Sequence, residues 1–282
     1  MSALLAEIER FYDAVPRRRA DAEDHGPLTL FIRRGDGWPY YARPTLGARG
    51  TVSAEDVAAV RARQRRLSIP EAFEWVLETT PGLDAAAEAA GLHVRRCPLL
   101  VLRGEPVPAA LPEDTALSIV AAHDPDLAAV QAVAHVAFGA LSTAAGPAGP
   151  TERDAAAATL PAGLAAAWHA SLIEGTMVHA AARGRGGALA GPLCVGSYQH
   201  ALDVAEIVGV GTLPAARRRG LAAAVTAVLA RHALDAGMRT VFLSAQNDDV
   251  ARVYERVGFR RVATACIAEP PEQAERAEDL AP

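Results

Sequence analysis

The sequence predicts a mixed α/β (α+β) protein, with a mixed central sheet flanked by helices, and three observations carry that prediction. Strand-like segments follow one another at residues 176–182, 189–198 and 204–212, with a Gly-rich hairpin signal at 183–187 between the first two. A helical apolar stripe at residues 221–236 is stopped by Gly237, and the run at 240–245 is apolar on both faces, as a covered parallel strand is. Strand, helix and parallel strand in that order form a right-handed crossover unit. A further helix at 249–257, stopped by Gly258, leads into a last strand at 259–268.

The remaining elements fall on either side of a break at residues 103–114, where three prolines and mixed charge follow the apolar run 99–102. After the break, the pattern predicts a strand at 115–122, an amphipathic helix at 126–138, and a helix at 159–173 with Pro161 in its first turn. Before it, residues 28–32 read as a strand, and Trp38-Pro39-Tyr40-Tyr41 reads as the start of another. Ser53 with Asp56, and Ser68 with Glu71, read as capping boxes that open helices, since a hydroxyl can accept from the third helical amide while the acid reaches back. A third helix at 82–90 ends at Gly91, and a strand resumes at 94–102. The expected organisation is one domain at 1–110, a second at 115–268, and a polar, proline-containing disordered tail at 269–282.

At 282 residues, 51% hydrophobic and 22% charged, the chain has globular composition. All 28 basic residues are arginine, and there is no lysine. A net charge of −5 gives no electrostatic ground for a polyanionic partner, so nucleic acid is not expected. Cys97, Cys194 and Cys266 are too far apart for a CxxC metal or redox motif, which suits a reducing cytoplasm. The eight histidines show no ligand spacing, so no metal is expected. The first residues lack the pattern of a signal peptide, and no apolar stretch reaches about 18 residues. A cytoplasmic protein with no membrane partner is the expectation.

The strongest local feature is residues 204–222, a strand that passes through a short turn into a long helix. The first amides of a helix have no intrahelical acceptor, and the helix dipole adds partial positive charge, so this geometry suits a pyrophosphate. Gly220 allows close backbone approach, and Arg217, Arg218 and Arg219 add formal charge. Basic residues in a first turn oppose the dipole, which favours a bound anion there, but a solvated basic turn also fits. A Walker loop needs a lysine, and Pro214 after Gly209 and Gly211 does not suit the dinucleotide fingerprint.

Two motifs resemble one family. Arg217-x-x-Gly220-x-Ala222 is similar to the Arg/Gln-x-x-Gly-x-Gly/Ala motif of the GNAT acetyltransferases, and Asn247 followed by Tyr254-x-x-x-Gly258-Phe259 is similar to that family's closing signature. The resemblance implies the GNAT acyl-CoA N-acyltransferase fold, acetyl-CoA as cosubstrate, and transfer of an acetyl group to a primary amine of a small molecule or peptide by direct attack. It implies that Val210, Gly211 and Thr212 contact the pantetheine arm and that Arg217, Arg218, Arg219, Gly220, Leu221 and Ala222 hold the pyrophosphate. Asn247 is then a contact to the cofactor arm, a helix cap, or both.

Glu206 sits in an Ala-Glu-Ile-Val string like that of the catalytic glutamate of GNAT histone acetyltransferases, which implies a general base; a solvent-facing edge glutamate is the alternative. Its parity matches Val204, Val208 and Val210, which suggests burial, and burial makes a carboxylate a stronger base. Tyr254 is the corresponding general acid, with a core tyrosine as the alternative. The N-terminal part resembles a degenerate half-domain of the same fold without a phosphate loop, and a helix at 73–76 and a strand at 98–101 also resemble the N-terminal extension of some GNAT proteins. A catalytically silent CoA-binding module, regulatory or scaffolding, is the competing expectation, and a homodimer is compatible with either. Without lysine, the chain cannot acetylate itself on lysine side chains.

Overall fold

The computed structural model describes residues 2–37, 39–48, 50–140 and 143–271. Its helices are α1 (Ala3–Arg17), α2 (Ala54–Leu67), α3 (Leu83–Ala89), α4 (Leu127–Phe138), α5 (Pro150–Thr159), α6 (Ala162–Ile173), α7 (Leu221–Asp235) and α8 (Asp248–Val257). The strands are β1 (Ala20–His25), β2 (Leu28–Arg33), β3 (Ala42–Pro44), β4 (Phe73–Val76), β5 (His93–Leu102), β6 (Thr115–Ile119), β7 (Met177–Gly184), β8 (Gly191–Ala201), β9 (Val204–Thr212), β10 (Thr240–Ser244) and β11 (Phe259–Glu269). The chain divides into two compact units. Of the described residues, one unit is built on those up to Leu100, Ser244–Asp248 and those from Arg261; the other on those in Val101–Leu243 and Asp249–Arg260.

In the first unit the strand order is β1-β2-β3-β4-β11-β5, with β3 and β4 parallel and β4 and β11 antiparallel. Leu28, Leu30, Val57, Val60, Phe73, Trp75, Leu83 and Cys266 form its core. The amphipathic helix α1, absent from the expected elements, buries Leu5, Ile8, Phe11, Tyr12 and Val15, a 3.6-residue stripe. Beside it Arg43 is almost wholly buried. Its Nη2 donates to Glu9 Oε2 at 2.5 Å, and its guanidinium lies 4.8 Å from the Tyr12 ring centroid. Thr79 Oγ1 donates to the other Glu9 oxygen at 2.6 Å, so the buried pair is supported on both oxygens.

Several expectations are corrected here. Ser53 and Asp56 do form a reciprocal capping box that opens α2. Ser68 does not open a helix: it ends α2 in the left-handed conformation (φ 55°), and Glu71 accepts from Arg61 and Arg65 instead of reaching back. Residues 73–76 are consequently strand β4 and not a helix, because Phe73, Trp75 and Val76 are buried in a β-pairing with β11 that a four-residue helix could not replace. Tyr40 and Tyr41 precede the strand Ala42–Pro44, and Trp38 lies outside the described residues. The helix expected at 159–173 is two helices: α5 ends at Thr159, and Pro161 stands at the N-cap of α6. The tail expected from 269 lies beyond the described residues after 271.

In the second unit the strand order is β10-β9-β8-β7-β6. Strands β6 to β9 pair antiparallel, and β10 returns parallel to β9 through α7, so the sheet is mixed and flanked by helices, as predicted. Helices α4 and α7 cover opposite faces. A Cβ on Gly211 would meet Ala137 and Phe138 of α4, whereas one on Gly196, beside its partner Val195, would meet Val225 and Leu229 of α7. On the α7 face the Tyr198 hydroxyl also meets His232 Nδ1 at 2.9 Å. Among the described residues no single helix is long and apolar enough to cross a membrane.

The close fit of α7 at Gly196 yields a direct test. A Cβ there would lie 2.9 Å from Val225 Cγ1 and 3.1 Å from both Leu229 Cδ1 and Val210 Cγ2, all in crowded surroundings. Gly196→Val is therefore expected to destabilise the protein by about 1–3 kcal/mol, measured by chemical denaturation, because the added methyls force α7 outward.

Candidate functional site

Strand β9 changes character along its length. It pairs with β10 over Val204–Glu206 and Thr240–Phe242, and then runs on to Thr212 with its pairing to β8 alone. On the β8 side, Ser197 faces Val208 and Val195 faces Gly211, so β9 holds one extra residue between these pairs. Gly209 takes up that residue in the left-handed region, with φ 63°. The bulge corrects the parity expected from the sequence. Glu206 and Val208 share a face with Gly211, and Val210 is turned to the α7 face, where its Cγ2 approaches Gly196.

From Thr212 the chain enters a one-turn 3-10 helix (Pro214–Ala216), passes Arg217–Arg219, and starts α7 at Leu221 with Gly220 as N-cap. The arginines thus precede the helix and do not occupy its first turn as expected. Arg218 (φ 65°) and Gly220 (φ 79°) are both left-handed, which folds the connection tightly. The amide of Ala224 is the one that bonds back to Gly220 O, at 3.1 Å; those of Leu221, Ala222 and Ala223 stand outside the helical ladder, as the first amides of any helix do.

The three arginines have different surroundings. Arg217 donates from Nε to Thr212 O at 3.2 Å, from Nη1 to Ala144 O at 3.0 Å and from Nη2 to Ala137 O at 3.0 Å. Backbone bonds from Gly146 N to Pro214 O (3.2 Å) and Ala215 N to Ala148 O (2.9 Å) join the same two segments. Arg217 therefore fastens the α4–α5 connection to the loop, a contact the sequence did not signal. Arg219 Nη2 donates to both oxygens of Asp114, at 2.6 and 2.8 Å, while its Nη1 is buried with no hydrogen-bond partner. Arg218 is exposed.

Glu206 is 7% exposed, and Gln199 Nε2 donates to its Oε2 at 2.8 Å. Its burial removes the solvent-facing alternative. Tyr254 is 8% exposed, with its ring edge-on to Phe259 at 6.5 Å. Burial pushes its hydroxyl above the ordinary tyrosine range, helped by the nearby Cys194 thiol, so it stays protonated. Thr212 Oγ1 donates to Cys194 Sγ at 3.2 Å, and burial pushes that thiol up to about 12. Glu206, Val210–Thr212, Arg217–Ala222 and Tyr254 all fall in the second unit. Asn247 falls in the first, immediately before α8. No cluster of three or more His, Cys, Asp or Glu suited to a metal occurs among the described residues.

Beyond Glu206 the β10 side of β9 is unpaired, and the strand leads through the loop to the start of the 15-residue helix α7. Residues 159–259 match the model of the acetyltransferase (GNAT) family. A 71-residue segment is 39% identical to the mycothiol acetyltransferase of Cellulomonas flavigena; it covers 24% of this chain and spans only 20% of that protein. Among solved structures, a GCN5-related N-acetyltransferase from Kribbella flavida superposes with a TM-score of 0.70 at 23% identity, over 96% of this chain and 97% of that one. A tandem GNAT protein from the clavulanic acid biosynthesis pathway gives 0.56 at 16% identity, over 86% and 77%. These two likenesses bear on the fold.

Arg217→Leu removes donors from three carbonyls at once. The amides of Gly146 and Ala215 are expected to exchange with solvent about tenfold faster or more in that variant, read by hydrogen exchange, as the α4–α5 connection loosens from the loop.

Proposed function

We propose that the second unit transfers an acetyl group from acetyl-CoA to a primary amine. The observation that carries this reading is the open edge of β9 after Glu206, which ends at the uncovered amides of α7 and at the buried, unpartnered Nη1 of Arg219. An extended amide-bearing arm can add to such an edge, and a pyrophosphate at its end meets the donors that the loop leaves unused. The residues present thus fit the cosubstrate: Val210, Gly211 and Thr212 along the arm, and Arg217 to Ala222 around the phosphates. The family match and the acetyltransferase relative support acyl transfer in general.

When bound, acetyl-CoA supplies an activated thioester, and a C–N bond to the acceptor forms as the C–S bond breaks. Glu206 takes a proton from the acceptor ammonium so that the nitrogen lone pair is available, and the second proton that the nitrogen sheds on becoming an amide passes to solvent. Tyr254, held protonated by burial, gives its proton to the departing thiolate. Asn247 steadies the arm or the start of α8. The domain that does this spans about residues 115–268, and residues 1–110 form a partial GNAT-like unit without a phosphate loop. A cytoplasmic setting, with neither nucleic acid nor membrane as partner, belongs to the same reading and rests on composition.

Three outcomes are expected. Gly220→Leu weakens acetyl-CoA binding strongly in calorimetry, since the position is left-handed and lies at the phosphate approach; unchanged affinity in a folded variant removes the basis of the site. Glu206→Gln keeps acetyl-CoA affinity and slows acceptor-dependent release of CoA thiol by about 10² to 10⁴. Titration gives one cofactor per chain; two would place a second site in the N-terminal unit.

A further inference from the structure

The face of the sheet that carries Glu206 also carries a polar row that the acetyl-transfer steps do not use. Gln199 stands opposite Glu206, and two positions along β8 Ser197 stands opposite His179 of β7. His179 Nδ1 and Ser197 Oγ are 2.5 Å apart, and both residues are buried. Successive same-face positions on a strand lie about 7 Å apart, so the hydroxyl is within one small molecule of the carboxylate. His179 Nε2 is buried with no hydrogen-bond partner, a cost that a polar ligand group can relieve. Trp168 of α6 covers the imidazole with ring centroids 4.0 Å apart, yet α6 buries only Ser171 among its residues. Trp168 thus belongs to a shallowly embedded helix.

Charge on this row is confined to one place. Burial pulls the His179 imidazole down to about 3, so it is neutral at any physiological pH. Ser197 and Gln199 are neutral as well, which leaves the Glu206 carboxylate as the single formal charge of the four. A cationic amine is attracted to that end. A carboxylate placed at the other end would find no cation among these four residues and would face Glu206 across a few ångströms.

We infer that Ser197, positioned by His179, is a specificity-determining contact for the acceptor, and that the acceptor is a primary amine bearing an uncharged hydrogen-bonding group, an amide or hydroxyl, about 7 Å from its nitrogen. The inference rests on the reading of Glu206 as the group that receives the amine. Entry of the acceptor displaces the Trp168 side chain from the imidazole, and the second polar group of the acceptor completes the row that His179 Nε2 leaves open.

The test uses the full chain and four primary amines of matched length, ending in an amide, a hydroxyl, a carboxylate or a methyl, with CoA thiol release as the readout. The amide and hydroxyl amines are expected to exceed the other two by about tenfold or more in kcat/KM, since a site built to hydrogen-bond rejects analogues that cannot. Ser197→Ala should lower kcat/KM for the amide and hydroxyl amines by about tenfold relative to its effect on the methyl amine, and Ser197→Thr, which keeps the hydroxyl, should restore the preference. Equal use of the carboxylate or methyl amine, or an equal loss on all four in Ser197→Ala, overturns the inference. Glu206→Gln separates the two readings: if it retains parent rates while the preference survives, the base assignment falls and the subsite stands. If none of the four amines is acetylated, both fall.

Discussion

A peptide group that leaves a β-ladder inside a protein must find another partner or carry a cost of the order of 1–3 kcal/mol, and β9 is where this chain meets that constraint. Its pairing with β10 ends at Glu206 and Phe242, although the strand continues to Thr212. The bulge at Gly209 bends the strand and re-aims the residues after it. Around that opening α4 lies on the Gly211 side, α7 on the Gly196 side, and the loop from Leu213 to Gly220 closes the end. An edge exposed in this way invites an extended ligand whose own amides complete the ladder.

The arginine cluster shows how similar residues divide a task by their surroundings. Arg217 spreads one planar fork across carbonyls from three separate segments, which suits a guanidinium with several donors in fixed directions. Arg219 leans on Asp114 through one nitrogen and keeps another buried and unused. Asp114 belongs to the proline-containing break upstream, so the segment that separates the predicted domains also orients a loop residue about a hundred positions later. The stretch that looks like a linker by composition is thus fixed to the loop before α7.

Much of the second unit was legible because its signals are local. Val204–Thr212 was bounded correctly by its apolar run and the glycines around it, and the helices ending at Gly237 and Gly258 were located by their caps. The failures came where a local pattern had two readings. Ser68 with Glu71 has the letters of a capping box, but the preceding helix claims Ser68 and two arginines of that helix claim Glu71, partners that no four-residue window contains. The parity of Val210 failed for a similar reason, since one inserted residue inverts every later position and its effect depends on the register of a neighbouring strand. The contacts of Arg217 to Ala137 and Ala144 join residues more than seventy positions apart, beyond the reach of periodicity. The His179–Ser197 pair was equally hidden, because two ordinary residues become a pair only through the β7–β8 register.

The cysteines carry a consequence of their own. All three are free and buried, and burial raises every one of their pKa values, those of Cys194 and Cys266 to about 12. Nucleophilic sulfur chemistry requires the thiolate, so the folded chain is chemically quiet toward disulfide and alkylating reagents. Each thiol becomes reactive only when its strand is exposed: Cys97 on β5, Cys194 on β8, Cys266 on β11. Their labelling rates therefore form a three-point clock for local opening, with two hands in the first unit and one beside the candidate site in the second. CoA released by the proposed transfer would bear an accessible thiol while the folded protein does not, so the same reagent would count that reaction on the intact fold and unfolding when the fold gives way.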